Sequence, residues 1–259
     1  MATPSDRREV VLALRAAGCV FAEEEADLLL AQAATETDLA AMLSSRVAGE
    51  PLEQVLGWAE FCGHRILLDP GVFVPRRRTE LMVREAVRLA AGAPAPVVVD
   101  LCCGSGAVGA AMARLLPAVE LYATDLDPAA VRCARRNITA PGRVLEGDLF
   151  EALPPALRGR VDVVAANTPY VPTAAIRSMP PEARDHEPRM ALDGGADGLA
   201  VADRVAAQAP SWLVPGGSLL VETGERQADA LARTFSRNRL SPRVEVCEEA
   251  TIVVGTLPG

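Results

Sequence analysis

From Val97 onward the chain alternates short apolar runs with helix-length amphipathic ones, and no other feature constrains its fold as much. Apolar runs at 97–101, 119–123, 143–146, 161–166 and 218–222 have strand length, and further strands are expected near Val244 and at Ile252, Val253 and Val254. Helical patterns lie among them at 107–116, 128–137, 199–209 and 226–237. Strands covered on both faces read as continuous apolar runs, and crossovers through helices leave neighbouring strands parallel. The expected architecture is therefore α/β, a parallel sheet with helices on both faces.

The first 57 residues follow another rule. Helical patterns at 7–17 and 23–34 are followed by a third, capped by Thr37 or Asp38 and running to Val47, with breaks at Gly18 and at Gly49-Glu50-Pro51. Each is too short to be stable alone, which predicts a small bundle. Over 65–74 the apolar period shortens to two (Ile66, Leu68, Val72, Val74), predicting two short strands about a Pro70-Gly71 turn. A helix is expected over 79–91.

Half of the 259 residues are hydrophobic but only 3% are aromatic, so the core must be built from Ala, Val and Leu. All 26 basic residues are arginine, and the net charge of −8 argues against non-specific nucleic-acid binding, which needs a basic face. The 6 cysteines include no Cys-x-x-Cys pair, and His64 and His186 are the only imidazoles, so no zinc site is expected. The start, Thr3 to Glu9, is polar, and no apolar run approaches the length of a membrane span. Free thiols in a reducing, cytoplasmic setting are expected, with no membrane partner.

The run ending at Asp100-Leu101 passes straight into Cys102-Cys103-Gly104-Ser105-Gly106 and a helix. Glycines there permit a tight turn and let a ligand approach backbone N–H groups at a helix start. The pattern is not G-x-G-x-x-G, and Asp100 beside the glycines suits a cationic or zwitterionic group better than a pyrophosphate. Cys102 and Cys103 are expected to contribute small volume and backbone contacts, not thiol chemistry. The next strand ends at Thr124-Asp125-Leu126-Asp127-Pro128, where Asp125 is placed for two ribose hydroxyls. After the third come Gly147-Asp148-Leu149, an acid and an apolar residue suited to the amino edge and face of adenine. Each acid alone would serve equally well as a helix cap or solvated turn. Their ordered succession describes a nucleoside bearing an amino acid.

The fourth strand, 161–166, runs into Asn167-Thr168-Pro169-Tyr170. The Asn167 side-chain oxygen and the Thr168 carbonyl can both accept from one flat NH2 group, with Tyr170 stacked on its plane. That is equipment for holding a planar nitrogen nucleophile.

With those elements in place, the chain resembles the class I S-adenosylmethionine-dependent methyltransferases and, more narrowly, the release-factor glutamine N5-methyltransferase family. The resemblance is carried by Glu50-Pro51-Leu52, Gly57, Phe61, Gly63, Pro70-Gly71-Val72-Phe73-Val74-Pro75-Arg76, Thr79-Glu80, Asp100 to Gly106 and the Asn167 motif. It continues through Glu187-Pro188-Arg189, Leu192-Asp193-Gly194-Gly195, Asp197-Gly198-Leu199 and Gly216-Gly217. It implies a helical substrate-recognition domain over 1–62, a β-hairpin linker over 63–78 and a Rossmann-like seven-stranded methyltransferase domain over 79–259. It also implies S-adenosylmethionine as cofactor, surrounded by Phe73, Asp100, Cys102, Cys103, Gly104, Ser105, Gly106, Asp125, Leu126, Asp148, Leu149 and Asn167. Asn167, Thr168, Pro169 and Tyr170 would be the catalytic set. The implied acceptor is the glutamine of the Gly-Gly-Gln tip of a peptide chain release factor, with no stable nucleic-acid partner.

Three departures from the family pattern stand out. Thr168 replaces a second proline, Arg77-Arg78 replace Pro-Glu, and Cys102-Cys103 replace Gly-Thr. A solvated basic turn is expected for at least one of Arg76, Arg77 and Arg78. Two other functions compete: an adenine N6-methyltransferase gripping a flipped base, and a catalytically silent paralogue that binds cofactor or a partner protein.

Overall fold

Three helices open the structure, a computed structural model that describes residues 6–139, 142–247 and 250–259; Thr3, in the polar start, lies outside the described residues. α1 (Arg7–Ala16), α2 (Ala22–Gln32), α3 (Glu36–Val47) and the short α4 (Leu52–Leu56) bury Val10, Leu14, Leu29, Leu43 and Leu56 in a core of their own. That shared core is what such short helices need. α3 is capped by Thr35, not by Thr37 or Asp38. The Thr35 hydroxyl accepts from the Asp38 N–H at 3.1 Å while the Asp38 carboxylate accepts from the Thr35 N–H at 3.0 Å. The reciprocal pair satisfies two orphan donors, so Asp38 serves from inside the first turn.

The hairpin pairs β1 (Trp58–Phe61) with β2 (His64–Leu67), which moves it upstream of the expected 63–78. Its turn is Cys62-Gly63, with φ of 49° and 71°, the left-handed pair that matches the twist of the strands. At Pro70-Gly71 the chain also turns, Val72 N–H donating to the Asp69 carbonyl at 3.1 Å, but no strand follows. Leu68, Val72 and Val74 alternate because they pack with Cys133, not because they pair. Asn137 ties the hairpin down: its Oδ1 accepts from the Leu67 N–H and its Nδ2 donates to the Leu67 and Ser105 carbonyls, each at 2.8 Å.

The remaining elements are α5 (Glu80–Ala90), β3 (Val97–Leu101), α6 (Ala107–Leu115), β4 (Glu120–Asp125), α7 (Pro128–Asn137), β5 (Arg143–Glu146) and β6 (Val161–Ala166). α8 (Pro181–His186), α9 (Arg189–Leu192), α10 (Ala200–Gln208), β7 (Leu213–Glu222), α11 (Glu225–Arg237), β8 (Ser241–Cys247) and β9 (Ala250–Thr256) complete the chain. They form a 7-stranded sheet in the order β5-β4-β3-β6-β7-β9-β8. The pairs from β5 to β7 are parallel, but β9 runs antiparallel to both β7 and β8, so the sheet is mixed at that edge. Only 248–249 separate β8 from β9, too few residues for the crossover that a parallel pair requires.

Both faces of the sheet are covered. Val97, Val99 and Leu101 pack with Val205 of α10 and with Leu231 and Phe235 of α11. Val98 packs on the other face with Met82, Met112 and Val131 of α5, α6 and α7. The strand order reverses at β3, so the carboxyl ends of β3, β4, β5 and β6 open onto one crevice, where ligands of such sheets bind. Among the described residues no helix is long and apolar enough to cross a membrane. No group of three or more His, Cys, Asp or Glu side chains among them is placed to hold a metal ion.

Candidate active site

Every sequence-predicted site residue except Gly106 lines one cavity of about 280 Å³ at those strand ends. Gly106 does a different job. A Cβ there would meet Ala134 and Ile138 at 3.0 Å, so this glycine lets the start of α6 close against α7. At Gly104 an added Cβ would meet nothing within 4 Å, because that side of the loop faces the cavity. Cys102 holds a φ of 56° despite carrying a side chain, which costs backbone strain. Burial, then Asp125 and Asp100, push its thiol well above the ordinary range, so no thiolate is available.

Two of the three acids of this half, Asp100 and Asp125, are held by nearby backbone. Asp100 is 2% exposed and accepts from the Gly109 N–H at 2.8 Å. Burial pushes its carboxyl up to about 7, against the Gly109 bond and aided by Asp125. Asp125, at the end of β4, accepts from the Gly104 N–H at 2.8 Å and from the Asp127 N–H at 2.9 Å, one on each oxygen. A carboxylate oxygen has room for further donors, so both remain usable by a ligand. Burial raises this carboxyl too. Asp148 accepts from Arg204 of α10 at 2.6 Å, and Leu149 is buried beside it.

The donor and acceptor set fits S-adenosylmethionine. Asp100, Asp125 and Asp148 would repel a pyrophosphate but offer counter-charge to a cationic nucleoside, and Phe73, Leu126 and Leu149 supply apolar wall. The buried hydroxyls of Thr79 and Thr168 and the second carboxylate oxygen of Glu187 also belong to cavity-lining residues, and none has a partner among the described residues. Such groups are expected where a polar ligand completes the site.

The other half starts where β6 ends. Ala166 is level with Val221 of β7, which places Asn167 beside Glu222. The loop from Pro169 to Val171 leans on 192–199. Val171 N–H donates to the Leu192 carbonyl and Gly194 N–H to the Val171 carbonyl, both at 2.9 Å. Gln227 of α11 donates to the Tyr170 carbonyl at 3.0 Å and to the Asp197 carbonyl at 2.8 Å. The approach is close enough to require glycine: a Cβ on Gly194 would meet the Pro169 carbonyl at 2.6 Å, and one on Gly198 the Tyr170 carbonyl at 2.3 Å. The Asp193-Gly194-Gly195 and Asp197-Gly198 blocks are thus the backing of the Asn167 loop.

The arginines before α5 divide. Arg76 pairs at 2.5 Å with Glu187, whose side chain is 0% exposed, and the same oxygen takes the Val74 N–H at 3.3 Å. Burial raises the Glu187 carboxyl, with Arg76 pulling against it. Arg78 pairs with Glu222 at 3.2 Å and donates to the Tyr170 hydroxyl at 2.5 Å. Arg77 and Arg78 are both exposed, but of the two only Arg78 has an ion pair among the described residues, so the solvated basic turn fits Arg77. Glu222, Gln227 and Arg204 carry parts of the site that sequence reasoning missed. A carboxylate closing the apolar run 218–222 was an available signal for Glu222; Gln227 and Arg204 sit on helix surfaces and gave none.

A family model of the methyltransferase small domain matches residues 64–179. The release factor glutamine methyltransferase of Geobacter sulfurreducens is 41% identical over 199 residues, covering 76% of this chain and 68% of that protein. The 4-amino-L-phenylalanine/4-methylamino-L-phenylalanine methyltransferase of Streptomyces pristinaespiralis is 42% identical, covering 73% of this chain and 66% of that protein. Among solved structures, a methyltransferase from Pyrococcus furiosus superposes with a TM-score of 0.58 at 15% identity, over 85% of this chain and 100% of that one, a likeness of fold.

Proposed function

The chain belongs to the release factor glutamine methyltransferase family, and from that premise we propose that it methylates the side-chain amide nitrogen of a glutamine, that of the Gly-Gly-Gln tip of a peptide chain release factor. The observation that supports this most is that the Asn167 loop and the three strand-end acids line the same cavity. S-adenosylmethionine, when bound, supplies a sulfonium methyl as electrophile. In this reading Asp125 holds the ribose hydroxyls, and Asp148, Leu149 and Leu126 hold adenine. Asp100 and the backbone from Cys102 to Ser105 surround the methionine part, and Phe73 covers it.

A carboxamide nitrogen is a poor nucleophile, because its lone pair is delocalised into the carbonyl. Asn167 Oδ1 and the Thr168 carbonyl each take one of its N–H groups, raising electron density on nitrogen and aiming it. Pro169 stiffens the loop and the Tyr170 ring backs the amide plane. Positive charge develops on nitrogen during transfer, so these hydrogen bonds strengthen in the transition state, the condition for catalysis by differential binding. Alignment supplies much of the rest. The proton leaves late to water, and no general base is required. Replacing proline by Thr168 keeps the carbonyl on which this grip depends.

A second acceptor class, an aromatic primary amine, is favoured by the 42% identity to the Streptomyces pristinaespiralis enzyme and by the same geometry, since a conjugated NH2 is planar in both. The discriminating experiment offers labelled S-adenosylmethionine with a release factor, with 4-aminophenylalanine and with RNA, and maps the label by mass. Label on the Gly-Gly-Gln glutamine is the expected result. Label confined to the free amine would establish the second class; label on adenine, or none at all, would overturn both.

A further inference from the structure

Arg78 lies in the short 3-10 turn Arg77–Thr79 ahead of α5, and its guanidinium reaches two groups far along the chain. Nε donates to Glu222 Oε1 at 3.2 Å and Nη2 to the Tyr170 hydroxyl at 2.5 Å. That hydroxyl stands 3.4 Å from the same carboxylate oxygen, so the three groups close a ring of contacts. The Glu222 side chain is 2% exposed, and its Oε2 has no partner among the described residues. A buried carboxylate stripped of its counter-charge is strongly unfavourable, so Glu222 holds Arg78 in place. The guanidinium carbon is 5.9 Å from the centre of the Tyr170 ring, at the outer limit for a cation–π contact. Coupling therefore runs through the hydroxyl. Gln227 separately fixes the Tyr170 carbonyl, which leaves the ring as the part that Arg78 controls.

We infer that Arg78 is a positioning residue: together with Glu222 it fixes the Tyr170 ring as the wall against which the planar NH2 of the methyl acceptor is held. The inference rests on the Asn167 loop being the acceptor site, and it names which side chains set that site's shape. Without Arg78 the phenol keeps only the long contact to a carboxylate, and the ring is free to swing from the cavity. The electrostatics agree. Burial and then Glu222 raise the pKa of the Tyr170 phenol, while Arg78 and Arg76 lower it. Burial opposes the charge on Arg78, which Tyr170 and Glu222 sustain above its ordinary range.

The chain has 2 tyrosines, so in a Tyr122→Phe background Tyr170 is the only phenol and its ionisation can be followed by absorbance. Arg78→Gln should move that titration upward by about one pH unit and reduce kcat/KM for the acceptor at least about tenfold, the scale of a lost charge-assisted hydrogen bond. The dissociation constant of S-adenosylmethionine should stay within about twofold, and Arg78→Lys should recover part of both effects by restoring the charge. In a Tyr170→Phe background, removing Arg78 should cost less than about twofold more, because the partner it acts through is gone. An unmoved phenol titration in a folded Arg78→Gln protein, or a full additive loss beside Tyr170→Phe, overturns the inference; should the glutamine variant not fold, Arg78→Lys beside Tyr170→Phe reads the same coupling. The titration needs no acceptor, so it reads the Arg78–Tyr170 contact even if the methylated group is not glutamine.

Discussion

The two halves of the cavity are held by different kinds of contact. On the cofactor side Asp125 is fixed by Gly104 and Asp127 and Asp100 by Gly109, partners at most 21 positions away, while Asp148 is the exception, held by Arg204 across 56 positions. On the acceptor side the bonds of Arg78 to Tyr170 and to Glu222 span 92 and 144 positions, and that of Arg76 to Glu187 spans 111. One half is built from strand-to-helix turns that each carry their own geometry. The other exists only after β6, β7, 192–199 and the segment before α5 have come together. A cofactor pocket of the first kind can be kept while an acceptor site of the second kind is reshaped by single side chains.

That contrast can be attacked from either side. Asn167→Ala should lower kcat about 100- to 1000-fold, the usual cost of losing one group that binds developing charge, measured with saturating donor. Equal damage from Asp125→Ala to kcat at saturation would erase the distinction. Asp125→Asn should instead weaken S-adenosylmethionine binding by about 10- to 100-fold, read by calorimetry, since hydrogen bonds to a charged acceptor are lost. Unchanged affinity would remove Asp125 from the cofactor half.

Two smaller effects sharpen the picture. Asp100 has its carboxyl at about 7 in the folded protein, above that of a free aspartate, so the empty site holds a proton there below that pH. A cationic ligand prefers the carboxylate, so affinity should fall up to about tenfold as pH drops from 8 to 6, and Asp100→Asn should flatten the curve. By the same sign, Asp100 makes the empty protein less stable as pH rises from about 4 to 7, because the folded state binds the proton more tightly. Gly198→Ala, at a φ of 81° and facing the Tyr170 carbonyl, should cost about 1–3 kcal/mol of stability and lower turnover with cofactor affinity intact. Thermal unfolding with and without S-adenosylmethionine would show it.

The same division governs what the sequence makes legible. Helix α7 and strands β5 and β6 lie where the apolar runs and the Asp127-Pro128 start predict, because Asp127 caps α7 by accepting from the Ala129 N–H at 2.8 Å. Strand β7 begins five residues before the expected 218, and the structure absorbs Pro215 and Gly216 in a register shift, with Gly216 at a φ of 84°. The hairpin turn at Cys62 was hidden because a cysteine seldom marks a left-handed turn. The position of Asp100, Asp125, Asp148 and Asn167 at the strand ends was readable, since each follows an apolar run that ends at the crevice. Which of Arg76, Arg77 and Arg78 would stay solvated was not legible, because nothing near them in sequence announces Glu187 or Glu222.

The most direct test of the division into two halves is calorimetric titration of S-adenosylmethionine into the Asn167→Ala protein, beside its single-turnover rate. The expected result is a dissociation constant within about threefold of the parent while turnover falls by at least about 100-fold. A loss of affinity as large as the loss of turnover would place Asn167 in the cofactor half and contradict the division.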